Sequence, residues 1–171
     1  MNPVGPAAMT VGDLGEFPLI DRIRRVLGDV PGVVLGIGDD SAAVRPTPGK
    51  LILATCDVQV QGRHFIMEHI TPEQLGRRSA VVNLSDIAAM GGRPTYALVS
   101  LALPSGTEVE WVERLYVGFR EAFSEHGAVV IGGNLSGAGQ EIVIDVAMHG
   151  EADEASMLRR SGSKPGDVVL V

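Results

Sequence analysis

The segment TPEQLGRRSAVVNLSDIAAMGG (71–92) constrains the fold most, because it carries both the start and the stop signals of a long helix. Thr71 is a suitable N-cap, and the proline that follows it suits the first helical position. Gln74 completes a capping box with Thr71. Two glycines, at 91 and 92, end the pattern and are followed by a proline. We therefore expect a helix that begins after Thr71 and ends before Gly91.

The remaining segments alternate between apolar runs and helical patterns. A second long helix is predicted by residues 107–127, with Thr107 and Glu110 as its capping box and Gly127 as its terminator. An amphipathic segment, 16–28, predicts an N-terminal helix. Apolar or alternating runs predict strands at 51–60, 95–104, 128–133 and 141–151. With short β-prone pieces before residue 45, the order α-β-β-α-β-α-β-β predicts an α+β fold, in which helices pack on one face of a mixed or antiparallel sheet.

Composition narrows the class of protein. The chain has 171 residues, enough for one domain with a substantial core, and a formal net charge of −7, which argues against a nucleic-acid-binding surface. Its single cysteine, Cys56, cannot form an internal disulfide, which is typical of a reducing compartment. No signal-peptide pattern or membrane-length apolar run is present. We expect a cytoplasmic protein that contacts no membrane, with residues 1–14 as a flexible tail and residues 15–171 as one domain.

Asp86 lies within the helix predicted at 71–92, where burying its charge would be energetically unfavourable. At helical spacing it shares a face with Leu75 and Val82, and a charge facing an apolar core is unfavourable unless it is compensated. Two interpretations are open. Asp86 reaches water or a nearby backbone N–H, or it is a metal ligand or catalytic carboxylate at the border of the core.

Two further acidic features, an Asp-Asp pair and a single aspartate, suit the same chemistry. Asp39 and Asp40 are adjacent in the glycine-flanked stretch GIGDDSAAV, where neighbouring carboxylates repel unless cations or hydrogen bonds relieve them. Asp57 follows an apolar run, where side chains emerge at the rim of a sheet. Mg²⁺ takes oxygen ligands and is often held by one or two carboxylates together with substrate phosphates. Asp40, Asp57 and Asp86 therefore permit a magnesium site, although a plain surface turn also explains the Asp-Asp pair.

A glycine-rich turn and a histidine complete the candidates. IGGNLSGAGQE (131–141) has exposed N–H groups that suit phosphate oxygens, with a simple hairpin turn as the alternative. His64 follows a glycine and an arginine after the strand predicted at 51–60, and a structural histidine is the alternative to a binding role.

Taken together, the motifs resemble those of the thiamine-monophosphate kinase family. The blocks that carry the resemblance occur in the family's order: GEFPLIDRI, GIGDDSAAV, TCDVQVQGRHF, VVNLSDIAAMGGRPTYALVSLALP, IGGN and LRRSGSKPGD. The wider superfamily includes aminoimidazole ribonucleotide synthetase, selenophosphate synthetase and an ATP-using hydrogenase maturation protein. The resemblance runs from about Gly15 to the end of the chain, and it implies the superfamily's N-terminal domain fold.

The resemblance implies ATP-dependent phosphorylation of thiamine monophosphate to thiamine diphosphate, with Mg²⁺ as cofactor. It implies catalytic roles for Asp86 and Asp57 and contact of His64 with the substrate. The positions expected at the nucleotide are Gly133, Asn134 and Arg160. The metal ligands implied by the resemblance are Asp40, Thr55, Cys56, Asp57, Asp86 and Asn134.

The resemblance also implies a homodimer, because strands from two subunits of such proteins complete a barrel. Family members continue into a second α/β domain that contributes to the active site, so this sequence corresponds to the N-terminal half. Two alternatives stay open. One is another ATP-dependent small-molecule enzyme of the same superfamily, and the other is a non-catalytic nucleotide-binding or dimerisation module.

Overall fold

The computed structural model describes residues 8–30 and 32–168, and the secondary structure alternates along them much as the apolar pattern predicts. In chain order the elements are α1 (Val11–Leu14), α2 (Glu16–Leu27), β1 (Val33–Leu35), β2 (Ala43–Val44), β3 (Leu51–Val60), α3 (Pro72–Ala89), β4 (Arg93–Leu103), α4 (Val109–Ser124), β5 (Val129–Gly137) and β6 (Val143–Ala152).

The main sheet is mixed. Its four strands lie in the order β3-β6-β4-β5, so that β3 and β5 form its two edges. β4 and β5 run parallel because α4 connects them as a crossover, whereas β6 is antiparallel to both β3 and β4. β1 and β2 pair separately as a short antiparallel ribbon. The predicted α+β class and the mixed sheet are confirmed.

One face of the main sheet carries the helices, as predicted. Along β4 and β6 every second side chain is buried, and these side chains pack beneath α3 and α4. The buried side chains on this inner face include Val99, Leu101, Ile144, Val146 and Met148. The opposite side of the sheet, called here the outer face, carries Ile52, Ala54, Cys56 and Val58 of β3, Leu98 and Ser100 of β4, and Asp145, Ala147 and His149 of β6.

The two long helices approach each other closely because each offers a glycine at the crossing. A Cβ atom on Gly76 of α3 would collide with the carbonyl oxygen of Leu115, and one on Gly118 of α4 would collide with that of Glu73. Both glycines are buried. Since protein interiors are close-packed, this backbone-to-backbone contact fixes the position of α3 over the sheet.

The predicted start of α3 is confirmed and the predicted start of α4 is wrong. The Thr71 hydroxyl accepts from the Gln74 N–H at 3.3 Å, and the Gln74 side chain accepts from the Thr71 N–H at 3.0 Å. In α4 the N-cap is Glu108, which makes no side-chain cap. Thr107 is instead held by the N-terminal segment, since its carbonyl accepts from Val11 N–H at 2.7 Å.

The N-terminal segment is more ordered than the sequence predicts. The Gly12 N–H donates to the Ser105 carbonyl at 2.8 Å, and the Val109 N–H donates to the Met9 carbonyl at 2.9 Å. The expected tail therefore does not extend to Leu14, while residues 1–7 of that expectation lie outside the described residues. Among the described helices, none is long and apolar enough to cross a bilayer.

Candidate functional site

A polar groove lies between the edge strand β3 and the helix α3. The Thr55 hydroxyl donates a hydrogen bond of 2.6 Å to Oδ2 of Asp86. Strand alternation puts Asp57 and Gln59 on the same face as Thr55, and four-residue steps along α3 place Arg78 and Val82 on the side of Asp86. We call this feature the β3–α3 groove, formed by Thr55, Asp57 and Gln59 of β3 and by Arg78, Val82 and Asp86 of α3.

Asp86 is exposed, so the prediction that it faces the apolar core is wrong. The buried stripe of α3 passes through Ser79, Asn83 and Ile87. Ile87 occupies the core position because its side chain packs against the backbone at Gly150 of β6. Asp86, one residue earlier, is thereby turned to the edge of the groove. Its charge remains hydrated and needs no compensation to be tolerated.

A second group of predicted residues lies on the β5 side of the sheet. The turn at Asp39 and Asp40 is exposed, and Oδ1 of Asp39 accepts from the Asp40 N–H at 2.9 Å. These residues line a cavity of about 930 Å³ together with Gly133 and Asn134 of β5. Phe17 of α2, which is 79% exposed, forms part of the cavity wall. The cavity therefore combines an acidic turn, a glycine-containing strand and an apolar wall.

A single chain does not bring the two groups together. The β3–α3 groove and the cavity beside β5 lie at opposite edges of the sheet, three strand spacings or about 14 Å apart. Within residues 8–30 and 32–168, no three His, Cys, Asp or Glu side chains are placed to hold a metal ion. Asp40 and Asn134 are therefore separated from Asp57 and Asp86 in one protomer.

Cys56 lies on the outer face, away from Thr55 and Asp57. Its thiol donates to Oδ1 of Asp145 on β6 at 3.0 Å. This hydrogen bond to a carboxylate raises the pKa of the thiol, and partial burial adds to the effect, because both favour the neutral form. The structure therefore does not bring the Cys56 side chain to the other predicted metal ligands.

His64 lies in the turn after β3 with one ring nitrogen engaged. The Val60 N–H donates to Nδ1 of His64 at 3.0 Å. Nδ1 is then unprotonated, so Nε2 carries the proton of the neutral ring and is available as a donor. The side chain is exposed, just beyond the end of β3.

Arg160 follows a segment that docks on the C-terminal end of α3. The Leu158 N–H donates to the Met90 carbonyl at 3.0 Å, and the Leu158 side chain contacts Gly91. Asp86 lies one helical turn before Met90. The backbone before Arg160 therefore runs beside the end of the helix that carries Asp86.

The oxygen donors in the β3–α3 groove fit a magnesium ion. The Thr55 bond engages Oδ2 of Asp86 and leaves Oδ1 directed to no partner in the described part of the chain. Asp57 lies two residues along the strand on the same face. Two carboxylates and a hydroxyl are hard ligands, and Mg²⁺ completes its coordination with water and phosphate oxygens.

Sequence reasoning missed two members of the groove, Arg78 and Gln59. Arg78 lies eight residues before Asp86, which is the same side of a helix, and Gln59 lies two residues after Asp57, which is the same face of a strand. That spacing was the available signal. The Arg78 Nε donates to the Gln59 Oε1 at 3.2 Å.

The fold and the site define an α+β domain with a mixed sheet, helices on one face, an acidic groove beside β3 and a cavity beside β5. Residues 38–152, more than half of the chain, match the family model for the AIR synthase related protein, N-terminal domain. The chain belongs to this family.

Known relatives agree with that assignment. The thiamine-monophosphate kinase of Aquifex aeolicus (strain VF5) is 41% identical over 163 residues, which cover 95% of this chain and 50% of the relative. The crystal structure of the thiamine-monophosphate kinase from Stenotrophomonas maltophilia K279a has a TM-score of 0.76 at 34% identity, covering 94% of this chain and 49% of that one. AaThiL complexed with AMPPCP and TMP has a TM-score of 0.64 at 39% identity, covering 91% and 47%. This chain thus spans about half the length of its relatives.

Proposed function

We propose that this chain is the N-terminal half of an enzyme that transfers the γ-phosphoryl group of ATP to thiamine monophosphate, giving thiamine diphosphate. The identity of 41% to the Aquifex aeolicus kinase supports this activity, as does the related structure that holds AMPPCP and TMP. The observation that carries the proposal is the 2.6 Å bond between Thr55 and Asp86, because it orients an exposed carboxylate in a groove lined by hard oxygen ligands.

The proposed chemistry asks the protein mainly for positioning and for control of charge. Mg²⁺, when bound, would neutralise the charge that develops on the phosphate groups. Asp86 and Asp57 would hold the ion, and Thr55 would fix the orientation of the Asp86 carboxylate. The protein must also align the attacking phosphate oxygen with the phosphoryl group that is transferred. This alignment requires separate sets of residues to hold the two substrates.

The cavity beside β5 is the proposed nucleotide side of the site. A volume of about 930 Å³ is at the upper end of the range for small-molecule sites. Gly133 allows the strand to approach its neighbour closely, since a Cβ there would collide with the carbonyl of Val99. Asn134 and Asp40 supply oxygen atoms at the rim. Arg160, in the segment that docks beside the end of α3, is proposed to contribute a positive charge to the phosphates from the Asp86 side of the site.

A homodimer is part of the proposal, because one protomer separates residues that the chemistry needs together. The outer face carries exposed apolar side chains, with Ile52 65% and Val58 43% exposed, and the edge strands β3 and β5 are both long. Such surfaces are usually covered. In a two-fold dimer whose outer faces meet, β5 of one protomer lies beside β3 of its partner, and eight strands close a barrel. That arrangement moves Asp40 and Asn134 of one protomer toward Asp57 and Asp86 of the partner.

Sedimentation velocity tests the dimer. We expect the wild-type chain to sediment as a dimer and Ile52→Lys to sediment as a monomer, because the substitution puts a charge in the outer face. Val81→Lys is the matched control, since Val81 is also exposed and apolar but lies on α3. A wild-type monomer at all concentrations would contradict the dimer.

Subunit mixing tests whether the site is shared. Asp40→Asn and Asp86→Asn each remove one side of the proposed site, and each variant alone is expected to lose Mg²⁺-dependent nucleotide binding. The two variants are mixed in equal amounts and allowed to exchange subunits. If each site takes Asp40 from one protomer and Asp86 from the other, half of the dimers are mixed and each of these has one intact site, so about a quarter of all sites bind nucleotide again. No return of binding would mean that Asp40 and Asp86 of one site belong to the same protomer.

The activity is tested on the longest natural form of the protein. It is incubated with ATP, Mg²⁺ and thiamine monophosphate, and thiamine diphosphate is separated and quantified by its thiochrome fluorescence. Product that depends on all three components supports the proposal. Binding of a non-hydrolysable ATP analogue without any thiamine diphosphate would favour a nucleotide-binding module, and ATP turnover with another acceptor would favour a different enzyme of the superfamily.

A further inference from the structure

Arg78 occupies the end of the β3–α3 groove opposite Asp86. It lies eight residues before Asp86 on α3, which corresponds to about 12 Å along the helix axis. On β3 the matching residues are Gln59, which contacts Arg78, and Thr55, which contacts Asp86. The strand and the helix therefore run antiparallel beside each other, and the groove has an acidic end and a basic end.

The partner of Arg78 is a buried neutral amide. Gln59 is only 5% exposed, and its Oε1 accepts the Nε–H of Arg78 at 3.2 Å while its Nε2 donates to the Val58 carbonyl at 3.3 Å. Burying an amide is unfavourable unless its polar atoms are paired. Gln59 meets that requirement by holding a surface arginine, and the bond fixes the plane of the guanidinium group.

The remaining edge of the Arg78 guanidinium is directed to no carboxylate in the described ranges. The neighbouring Arg77 differs, because both of its terminal nitrogens bind Glu125, at 2.7 and 2.9 Å. Arg114 is likewise engaged by Glu73 through two hydrogen bonds. Among the described contacts, the two terminal Nη groups of Arg78 therefore have no carboxylate partner, and they match the spacing of two oxygens of a phosphate.

We propose that Arg78 binds a phosphate oxyanion of the phosphorylated acceptor substrate and that Gln59 is the residue that positions it. The identity of that anion rests on the proposed function, whereas the anion site itself rests on the geometry of Arg78 and Gln59. His64 follows the same end of β3, and its Nε2 donates to nothing in the described contacts, so it lies on the side where the acceptor would enter. The phosphate of the acceptor is thus held at the basic end of the groove, on the side of His64.

The binding test uses this chain and inorganic phosphate in the absence of metal and nucleotide. The titration is followed by calorimetry and by the ¹⁵N signals of the arginine Nε–H groups. We expect Arg78→Met to weaken phosphate binding at least about tenfold and Arg78→Lys to weaken it less, because lysine keeps the charge but not the paired donors. Arg77→Met is the matched control and is expected to bind phosphate as the wild type does.

Gln59 needs a separate variant, because its role is to position Arg78. Gln59→Met keeps the length of the side chain and the charge of Arg78 but removes the acceptor for Nε. We expect binding of phosphate to weaken several-fold, with loss of the distinct Nε–H signal of Arg78. Since Arg78→Met leaves the buried Gln59 oxygen without its donor, the melting temperature of each variant is measured alongside, and Arg78→Lys serves where Arg78→Met fails to fold.

Steady-state kinetics then separates this inference from the proposed function. In the longest natural form, Arg78→Lys is expected to raise the KM for thiamine monophosphate more than it lowers kcat, with the KM for ATP unchanged. An unchanged KM for thiamine monophosphate together with unchanged phosphate binding would overturn the inference while leaving the activity in place. Phosphate binding that depends on Arg78 in a protein that makes no thiamine diphosphate would support the anion site and remove the proposed function.

Discussion

The hydroxyl of Thr55 and the carboxylate of Asp86 lie 2.6 Å apart and connect the edge strand β3 to the helix α3 across the mouth of a polar groove. The bond engages Oδ2 and so restricts rotation of the carboxylate. A carboxylate that is oriented by a hydrogen bond from its neighbour is better prepared to bind a metal ion than one that rotates freely. The pair thus links the packing of α3 on β3 to the proposed chemistry.

Substitution of Thr55 by valine is expected to weaken Mg²⁺-dependent binding of a non-hydrolysable ATP analogue about tenfold. Valine has the shape of threonine but cannot donate to Asp86.

Asp86→Ala is expected to abolish the metal-dependent part of binding, measured by calorimetry with and without EDTA. Because Asp86 is exposed and its loss removes one hydrogen bond from Thr55, the free energy of unfolding should fall by only about 1 kcal/mol.

Ser85→Ala is the control for both variants, since Ser85 is exposed on α3 beside Asp86 but makes no bond to β3 in the described contacts. It should bind the nucleotide analogue as the wild type does. Undiminished binding by Asp86→Ala would remove Asp86 from the ligand set.

The crossing of α3 and α4 gives a prediction about stability. Gly76→Ala places a methyl group against the carbonyl of Leu115, so the helices must separate or the backbone must distort. We expect a loss of about 3 kcal/mol in the free energy of unfolding, measured by urea denaturation. Gly106→Ala is the control, because a Cβ at Gly106 meets nothing within 4 Å and its effect should stay within about 0.5 kcal/mol. Equal effects of the two substitutions would show that the close contact is not a feature of the molecule in solution.

Local signals predicted the elements that this crossing joins, but not which residues face the groove. The capping box of Thr71 and Gln74 lies within one helical turn, so its partners are visible in the sequence. The exposure of Asp86 depends instead on the contact between Ile87 and Gly150, which lie on different elements. Helical periodicity allows either residue to face the core, and only packing against β6 decides between them.

The start of α4 and the position of Cys56 show the same limit. Thr107 has the right sequence for an N-cap, but its carbonyl is engaged by Val11 from a segment almost one hundred residues away. Cys56 is adjacent in sequence to Thr55 and Asp57, yet strand alternation puts it on the opposite face, where it meets Asp145. The alternation of side chains along β3 could be predicted from the sequence. The position of β3 at the edge of the sheet, with α3 packed on one of its faces, depends on the order of strands in the sheet and could not.

The ion pair between Glu73 and Arg114 predicts a dependence of stability on pH. Hydrogen bonds of 2.6 and 3.0 Å from the guanidinium lower the pKa of Glu73 from 4.5 to about 2. Because the pKa is lower in the folded protein, the stabilisation is complete above pH 4.5 and is lost as the pH falls toward 2. The difference in urea midpoint between the wild type and Glu73→Gln should shrink across that interval.

Glu16→Gln provides the comparison, since Glu16 occupies the first turn of α2 and has no ion pair in the described contacts. Its urea midpoint should follow that of the wild type through the same interval. If the difference in urea midpoint between the wild type and Glu73→Gln stays constant from pH 4.5 to about 2, the ion pair with Arg114 does not form in solution.

The reactivity of Cys56 tests the contact that holds it on the outer face. Its thiol donates to Asp145, and this bond raises the pKa of the thiol. Asp145→Ala is therefore expected to lower the pKa and to speed alkylation by iodoacetamide several-fold at mildly alkaline pH, because the thiolate is the reacting species. All proteins compared in this experiment also carry Ile52→Lys, so that a dimer cannot cover the outer face and protect the thiol from the reagent. Asp153→Ala, which removes a carboxylate paired with Lys50 and not with Cys56, should leave the rate unchanged. If Asp145→Ala reacts no faster than Asp153→Ala, the thiol is not bonded to Asp145 in solution.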